Sequence, residues 1–179
     1  MILQRSGRVE RLARLFRELM VLASMTASNV ALAQKATAYA RPVEYSARTL
    51  AGDSVRIGSG ERLTLVDVFA TWCTTCKTEF ADLETLSHQF GDRGLRVIAV
   101  AVDDAPTEHV RRFVEARHTT FPVVHDSSGR VTRAFATVGV PENYLVDAAG
   151  RVIWHHGGEI AMALTGLRRI IAAQPMIAR

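Results

Sequence analysis

The sequence predicts an α/β domain in which a mixed β-sheet carries helices on both faces. Two apolar runs, residues 63–69 and 95–102, have the make-up of central strands covered on both sides, the first interrupted only by Asp67. Between them Phe80, Leu83, Leu86 and Phe90 recur at helical spacing. Strands and helices alternate along the first part of the chain, and two β-prone runs around Ala149-Gly150 close it, which is the order of a mixed sheet ending in a hairpin.

The elements follow in sequence. Residues 43–49 and 53–57 flank Ala51-Gly52-Asp53-Ser54, a Gly-Asp turn between extended runs that signals a hairpin. The strand 63–69 is followed by a helix over 76–90, stopped by Gly91 and Gly94. After the strand 95–102, Asp103-Asp104-Ala105-Pro106 opens a helix to about residue 117, with Val110, Phe113 and Val114 inward. A short strand over 121–124, a turn at 126–129 and a short helix over 131–135 come next. Gly139-Val140-Pro141 then leads to a strand over 144–146, and a further strand over 152–155 follows the turn. The last helix places Ile160, Leu164, Leu167 and Ile171 on one face. There is no internal repeat and no low-complexity tract.

The 179 residues, 48% hydrophobic and 22% charged, describe one globular domain with a substantial core. The net charge of +4 arises mostly at the front: residues 1–33 hold five Arg and two Glu, leaving 17 basic and 16 acidic side chains elsewhere. No basic stripe remains that would suit a nucleic acid. Arg5, Arg8, Arg11, Arg14 and Arg17 precede an apolar stretch over 19–27, and Ala31-Leu32-Ala33 before Gln34 has the form of a signal-peptidase site. That stretch is short for a span of about 20 residues. Residues 1–33 are therefore expected to be a signal peptide or N-terminal membrane tether, the sole link to a membrane, and 34–179 the folded domain.

Both cysteines sit in Trp72-Cys73-Thr74-Thr75-Cys76, where a strand gives way to a helix, and neither has a third cysteine to pair with. Two thiols at this spacing can close into a disulfide and reopen. A thiolate is the attacking species, and a free cysteine with a pKa of about 8.5 is mostly protonated at neutral pH. At the start of a helix Cys73 meets unpaired N–H groups and the positive end of the helix dipole, which favour its thiolate. Cys73 is thus the expected attacking residue, and Cys76, one turn into the helix, the resolving one. A zinc site would need about four ligands, and no second Cys pair or spaced His pair completes one. His155 and His156, adjacent on a strand, point to opposite faces and form no metal site.

The Trp-Cys-x-x-Cys motif after Leu65-Val66-Asp67-Val68-Phe69-Ala70-Thr71, with Val140-Pro141 about 65 residues on, resembles the thioredoxin superfamily. Within it the chain is most similar to the TlpA-, ResA- and CcmG-like extracytoplasmic thioredoxins. The likeness covers residues 43–172. It rests also on the hairpin at Thr49-Leu50-Ala51-Gly52, the extra strand–helix segment around 95–120, and the string from Val138 to Asp147. It implies a thioredoxin fold with an N-terminal β-hairpin and an inserted strand–helix segment. It also implies that Pro141 is a cis-proline facing the disulfide, presenting the Val140 backbone to an extended substrate, with Trp72 and Glu142 on the same substrate side. Asp67 matches the buried acid of ordinary thioredoxins and is the expected proton acceptor for Cys76, while Glu79 matches an acid that ResA-like proteins place near the site. Three features depart from the pattern: Thr74-Thr75 lacks the usual proline between the cysteines, Asp67 stands where many TlpA-like chains carry Asn, and Asn143 where Thr is commoner.

The implied activity is thiol–disulfide exchange outside the cytoplasm, as a reductant, with no cofactor besides the redox-active Cys73–Cys76 disulfide. The implied partners are client proteins with disulfides, apocytochrome c and copper-centre proteins among them, and a membrane electron donor of the DsbD or CcdA type. Two other classes stand beside it. A thiol peroxidase of the peroxiredoxin type would need Thr three residues before its cysteine, where this chain has Ala70, and a proline in the preceding loop. A thiol-based metal-delivery module of the copper-carrier type would have three residues between the cysteines and a distant His, against the two found here. A docking module would bind its partner unchanged when Cys76 is replaced.

Overall fold

The computed structural model describes residues 42–58 and 62–175; the expected leader, residues 1–33, lies outside them. β1 (Tyr45–Arg48) and β2 (Ser54–Ile57) pair antiparallel as the expected hairpin, turned by Gly52 at φ +95°. β3 (Leu63–Phe69) leads into α1 (Thr74–Phe90) and a 3-10 turn, Gly91–Arg93, and the left-handed Gly94 reverses the chain into β4 (Leu95–Ala101). Next come α2 (Thr107–Glu115), β5 (Val123–His125), α3 (Arg130–Phe135), β6 (Glu142–Val146) and β7 (Val152–Gly157). A 3-10 segment, Ile160–Ala163, runs into α4 (Leu164–Ala173). No described helix is long and apolar enough to cross a membrane.

The main sheet has the order β5-β4-β3-β6-β7. β3 runs parallel to β4 and antiparallel to β6, so the sheet is mixed, and all seven residues of β3 are buried. A continuous apolar strand is what such a two-sided position requires. Several boundaries differ from expectation. β5 begins at Val123 because Pro122 has no N–H to give a ladder. α2 begins at Thr107, after Pro106, because the Asp103 carboxylate is engaged elsewhere. β6 begins at Glu142 and β7 runs to Gly157 because these two residues are register partners.

Alternation along β3 divides the interior in two. Leu63, Leu65 and Phe69 enter one core with Phe80, Leu83, Leu86 and Phe90 of α1 and Leu167 and Ile171 of α4. Val66 and Val68 face the other, with Val55 and Ile57 of the hairpin, Val131 and Phe135 of α3, and Tyr144. Each fully buried Leu, Val or Phe adds about 1.5–3 kcal/mol relative to exposure, so α1 is held chiefly by its apolar stripe. The same alternation fixes the polar residues. Asp67 falls on the α1 face with Leu65 and Phe69, and Asn143 joins it beside Leu145. Glu142 falls on the opposite face with Tyr144.

Candidate active site

Cys73 and Cys76 are joined by a disulfide at the mouth of α1, with Cα atoms 5.3 Å apart. Cys73 is the N-cap of the helix, and its Sγ accepts the Cys76 amide N–H at 3.1 Å. A second polar contact reaches the same sulfur from Thr75 Oγ1 at 3.4 Å. A disulfide sulfur has no proton, so the threonine hydroxyl is the donor. Two donors and the start of a 17-residue helix therefore converge on Cys73, and each favours a thiolate there once the bond opens. Cys73 keeps 6% of its surface exposed while Cys76 is fully buried. Trp72, 70% exposed, stands next to the pair.

Beneath the helix mouth lies a group of buried polar residues. Cys76, Glu79, Phe80, Leu83, Leu86 and Phe90 form the buried stripe of α1, which carries Glu79 inward to 1% exposure. Glu79 Oε1 accepts the Ile160 N–H at 2.5 Å and the Asn143 side-chain N–H at 3.2 Å. Asp67 is the register partner of Asn143 across the β3–β6 ladder. Among the described residues Asp67 Oδ1 and Oδ2, Glu79 Oε2 and Asn143 Oδ1 meet no hydrogen-bond donor. Acceptors lacking donors in a dry interior favour a carboxyl that keeps its proton. Burial, and then the charge of Glu79, hold Asp67 well above the ordinary carboxylate range. Burial likewise pushes Glu79 up to about 7, against the opposing hydrogen bonds from Ile160 and Asn143.

The Val140–Pro141 peptide bond is cis. Among the described residues the Val140 backbone enters no hydrogen bond, whereas the Pro141 carbonyl accepts the Gly158 N–H at 2.9 Å. Glu142, 4% exposed, turns inward: Tyr144 donates its hydroxyl to Oε2, and His155 Nε2 lies 3.5 Å from the same oxygen. The two histidines of β7 diverge as their alternation requires, since His155 packs on Tyr144 whereas His156 Nε2 lies 3.1 Å from the Glu159 carbonyl.

Sequence reasoning overlooked Asp103. Its buried carboxylate receives the Thr71 amide at 3.0 and 3.1 Å and the Thr71 hydroxyl as well, fixing the turn that carries Trp72 and Cys73. His125 Nε2 donates to the Asp103 carbonyl at 2.9 Å, and Thr107 Oγ1 meets His125 Nδ1 at 2.9 Å. Asn143, noted only as a departure from a pattern, pairs in register with Asp67 and gives its side-chain N–H to Glu79. A cavity of about 480 Å³ beside the hairpin, lined by Leu50, Arg96, Arg111, Val114 and Phe121 among others, includes neither cysteine.

With this geometry in place, comparison with known proteins gives a consistent picture. The Redoxin family matches residues 35–162. The thiol-disulfide oxidoreductase ResA of Bacillus thuringiensis is 28% identical over 94 residues, covering 52% of this chain and 54% of that protein. The thiol:disulfide interchange protein CycY of Rhizobium leguminosarum is 31% identical over 97 residues, covering 54% and 50% respectively. The chain thus spans about half the length of these curated relatives. Among solved structures, StoA of Bacillus subtilis superposes with a TM-score of 0.63 at 21% identity, over 72% of this chain and 98% of that one. A thiol:disulfide interchange protein of the thioredoxin family from Chlorobium tepidum gives 0.60 at 22% identity, over 74% and 98%. The fold is accordingly the thioredoxin fold.

Proposed function

Because the chain belongs to the Redoxin family, we propose that it is a thiol–disulfide oxidoreductase working outside the cytoplasm as a reductant of client disulfides. The observation that carries this reading is the pair of donors, Cys76 N–H and Thr75 O–H, aimed at Cys73 Sγ at the head of α1. Such surroundings lower a cysteine pKa from about 8.5 into the range of roughly 3.5–7.5. In the reduced protein the Cys73 thiolate attacks one sulfur of a client disulfide, and the other client sulfur leaves as a thiolate that takes up a proton. Cys76 then loses its proton to Asp67 or Glu79 and attacks Cys73 Sγ. The client departs as a dithiol carrying two electrons, and the Cys73–Cys76 disulfide remains. A dithiol protein in the membrane, of the DsbD or CcdA type, would return the two electrons. Trp72, Val140 and Pro141 form the side on which the client lies, Val140 through a backbone that enters no hydrogen bond among the described residues. Glu142, expected on the same side, is instead turned inward onto Tyr144 and His155 and supports that side from beneath.

The relatives' names as oxidoreductase and interchange proteins support the reaction type. Maturation of cytochromes c or of other cysteine-containing proteins is the setting we propose, as apocytochrome cysteines, for one, must be reduced before haem attaches. The test is covalent trapping with the full chain, using insulin as the protein disulfide. Cys76→Ser should accumulate a mixed disulfide through Cys73, and Cys73→Ser should abolish both adduct and turnover. Retained turnover in Cys73→Ser overturns the mechanism.

A further inference from the structure

The loop between α3 and β6 carries Val140 and Pro141, and its two ends are tied to one atom. Thr137 enters the loop and Glu142 leaves it, with Val138 between them 83% exposed. The Tyr144 phenol oxygen lies 3.0 Å from Thr137 Oγ1 and also donates to Glu142 Oε2. A phenol has a single proton, and that proton goes to the carboxylate. The Thr137 hydroxyl must therefore donate to the phenol oxygen, giving a directed chain from Thr137 through Tyr144 to Glu142. His155, 3.5 Å from the same Glu142 oxygen, closes its far end. The phenol is fully buried, and its ring packs on Phe135 at 4.8 Å and on His155 at 4.7 Å, so the clasp hangs from the rigid core beneath the sheet.

We propose that Tyr144 is a positioning residue: its phenol clasps both ends of the loop that presents Val140, and so sets the affinity for protein clients while taking no part in thiol exchange. The inference rests on the oxidoreductase reading above. An extended segment recognised through a backbone depends on where that backbone stands, and small displacements weaken binding more than they alter the reacting sulfurs. Tyr144 lies on the face of the sheet opposite Asp67, Asn143 and Glu79, and the proton path of Cys76 does not use it.

Full-length wild type, Tyr144→Phe and Thr137→Val separate the possibilities. Phenylalanine keeps both ring contacts and removes the clasp; valine removes only the Thr137 arm. KM and kcat are measured for insulin reduction, alongside the rate with 5,5′-dithiobis(2-nitrobenzoate), a disulfide too small to need the loop, and the reduction potential. Tyr144→Phe should raise KM for insulin about five-fold and Thr137→Val about two-fold, the scale of one or two lost hydrogen bonds. The kcat, the small-disulfide rate and the potential should stay at wild-type values. An unchanged KM in both variants, or a small-disulfide rate falling in step with KM, overturns the proposal. Should Tyr144→Phe fail to fold, Thr137→Val decides alone. A wild type active on neither substrate would instead refute the oxidoreductase reading itself.

Discussion

Asp67 on β3 and Asn143 on β6 are register partners across the antiparallel ladder, and Asn143 gives its side-chain N–H to Glu79 on α1 at 3.2 Å. Residues far apart in the chain thus meet in one interior, and the amide holds the Glu79 carboxyl. Both carboxyls are shifted toward the protonated form, Asp67 by burial and by its neighbour's charge, Glu79 chiefly by burial. Under the proposed exchange, a Cys76 thiol on the same helix stripe as Glu79 would have these two raised carboxyls as candidates to take its proton.

Glu79 should make stability fall with rising pH. Its carboxyl in the folded chain titrates near 7, above the ordinary 4.5, so between those values the folded state binds the proton and the unfolded state does not. Stability is then greatest below about 4.5 and declines up to about 7, by about 3 kcal/mol at most. Glu79→Gln keeps an oxygen for the Ile160 and Asn143 donors and removes the titration. Its melting temperature should exceed wild type by about 5–10 °C at pH 8 and converge with it at pH 4. Thermal melts followed by circular dichroism check this, and an offset of equal size at both pH values would count against it.

Asp67→Asn should act on the second chemical step alone. Loss of a positioned general base costs about a hundred-fold, so decay of the mixed disulfide at pH 7 should slow by one to two orders of magnitude. Attack of Cys73 on 5,5′-dithiobis(2-nitrobenzoate) should stay within about two-fold of wild type, since the donors on Cys73 Sγ are untouched. Stopped-flow mixing resolves the two phases. If Glu79→Gln slows the decay and Asp67→Asn does not, the proton goes to Glu79 and the assignment to Asp67 is wrong.

Much of this arrangement was legible beforehand, and the exceptions have physical causes. The strand Leu63–Phe69 follows its apolar run residue for residue, and Phe80, Leu83, Leu86 and Phe90 are all buried, because periodicity reports burial directly. A glutamate's residue type gives no sign of burial, yet the place of Glu79 on the stripe 76, 79, 80, 83, 86 puts it inside. The pairing of Asp67 with Asn143 depends on strand register, which no local pattern encodes. Asp103 begins a run whose composition reads as the opening of a helix. Its partner Thr71 lies 32 residues earlier, and a contact at that separation leaves no trace in spacing.

That Asp103–Thr71 clamp gives a stability prediction. Asp103→Ala strands the Thr71 N–H in a buried place without an acceptor, a cost of about 1–3 kcal/mol. Thr71→Val removes only the hydroxyl's bond and leaves the amide paired, so it should cost about 1 kcal/mol or less. Urea unfolding should rank wild type, Thr71→Val and Asp103→Ala in decreasing order of stability. An Asp103→Ala variant as stable as wild type would show that the turn is held by other means.

The hydroxyl of Thr75 offers the most direct handle on the redox poise. It donates to Cys73 Sγ at 3.4 Å, and a donor to sulfur stabilises a thiolate more than a neutral disulfide sulfur. Removing it by Thr75→Val therefore weakens the reduced state more than the oxidised one, making the couple more reducing and raising the Cys73 pKa. One such bond corresponds to about 1.4 kcal/mol, which for two electrons is about 30 mV. Equilibration of the full chain and the variant against glutathione or dithiothreitol buffers measures the shift, and thiolate absorbance against pH measures the pKa. A shift toward positive potential would mean that the hydroxyl serves the disulfide instead. The wild-type value in the same titration fixes the direction of electron flow. A potential near the thioredoxin end, about −270 mV, fits a reductant fed from the membrane, and one near about −120 mV would make the protein an oxidant.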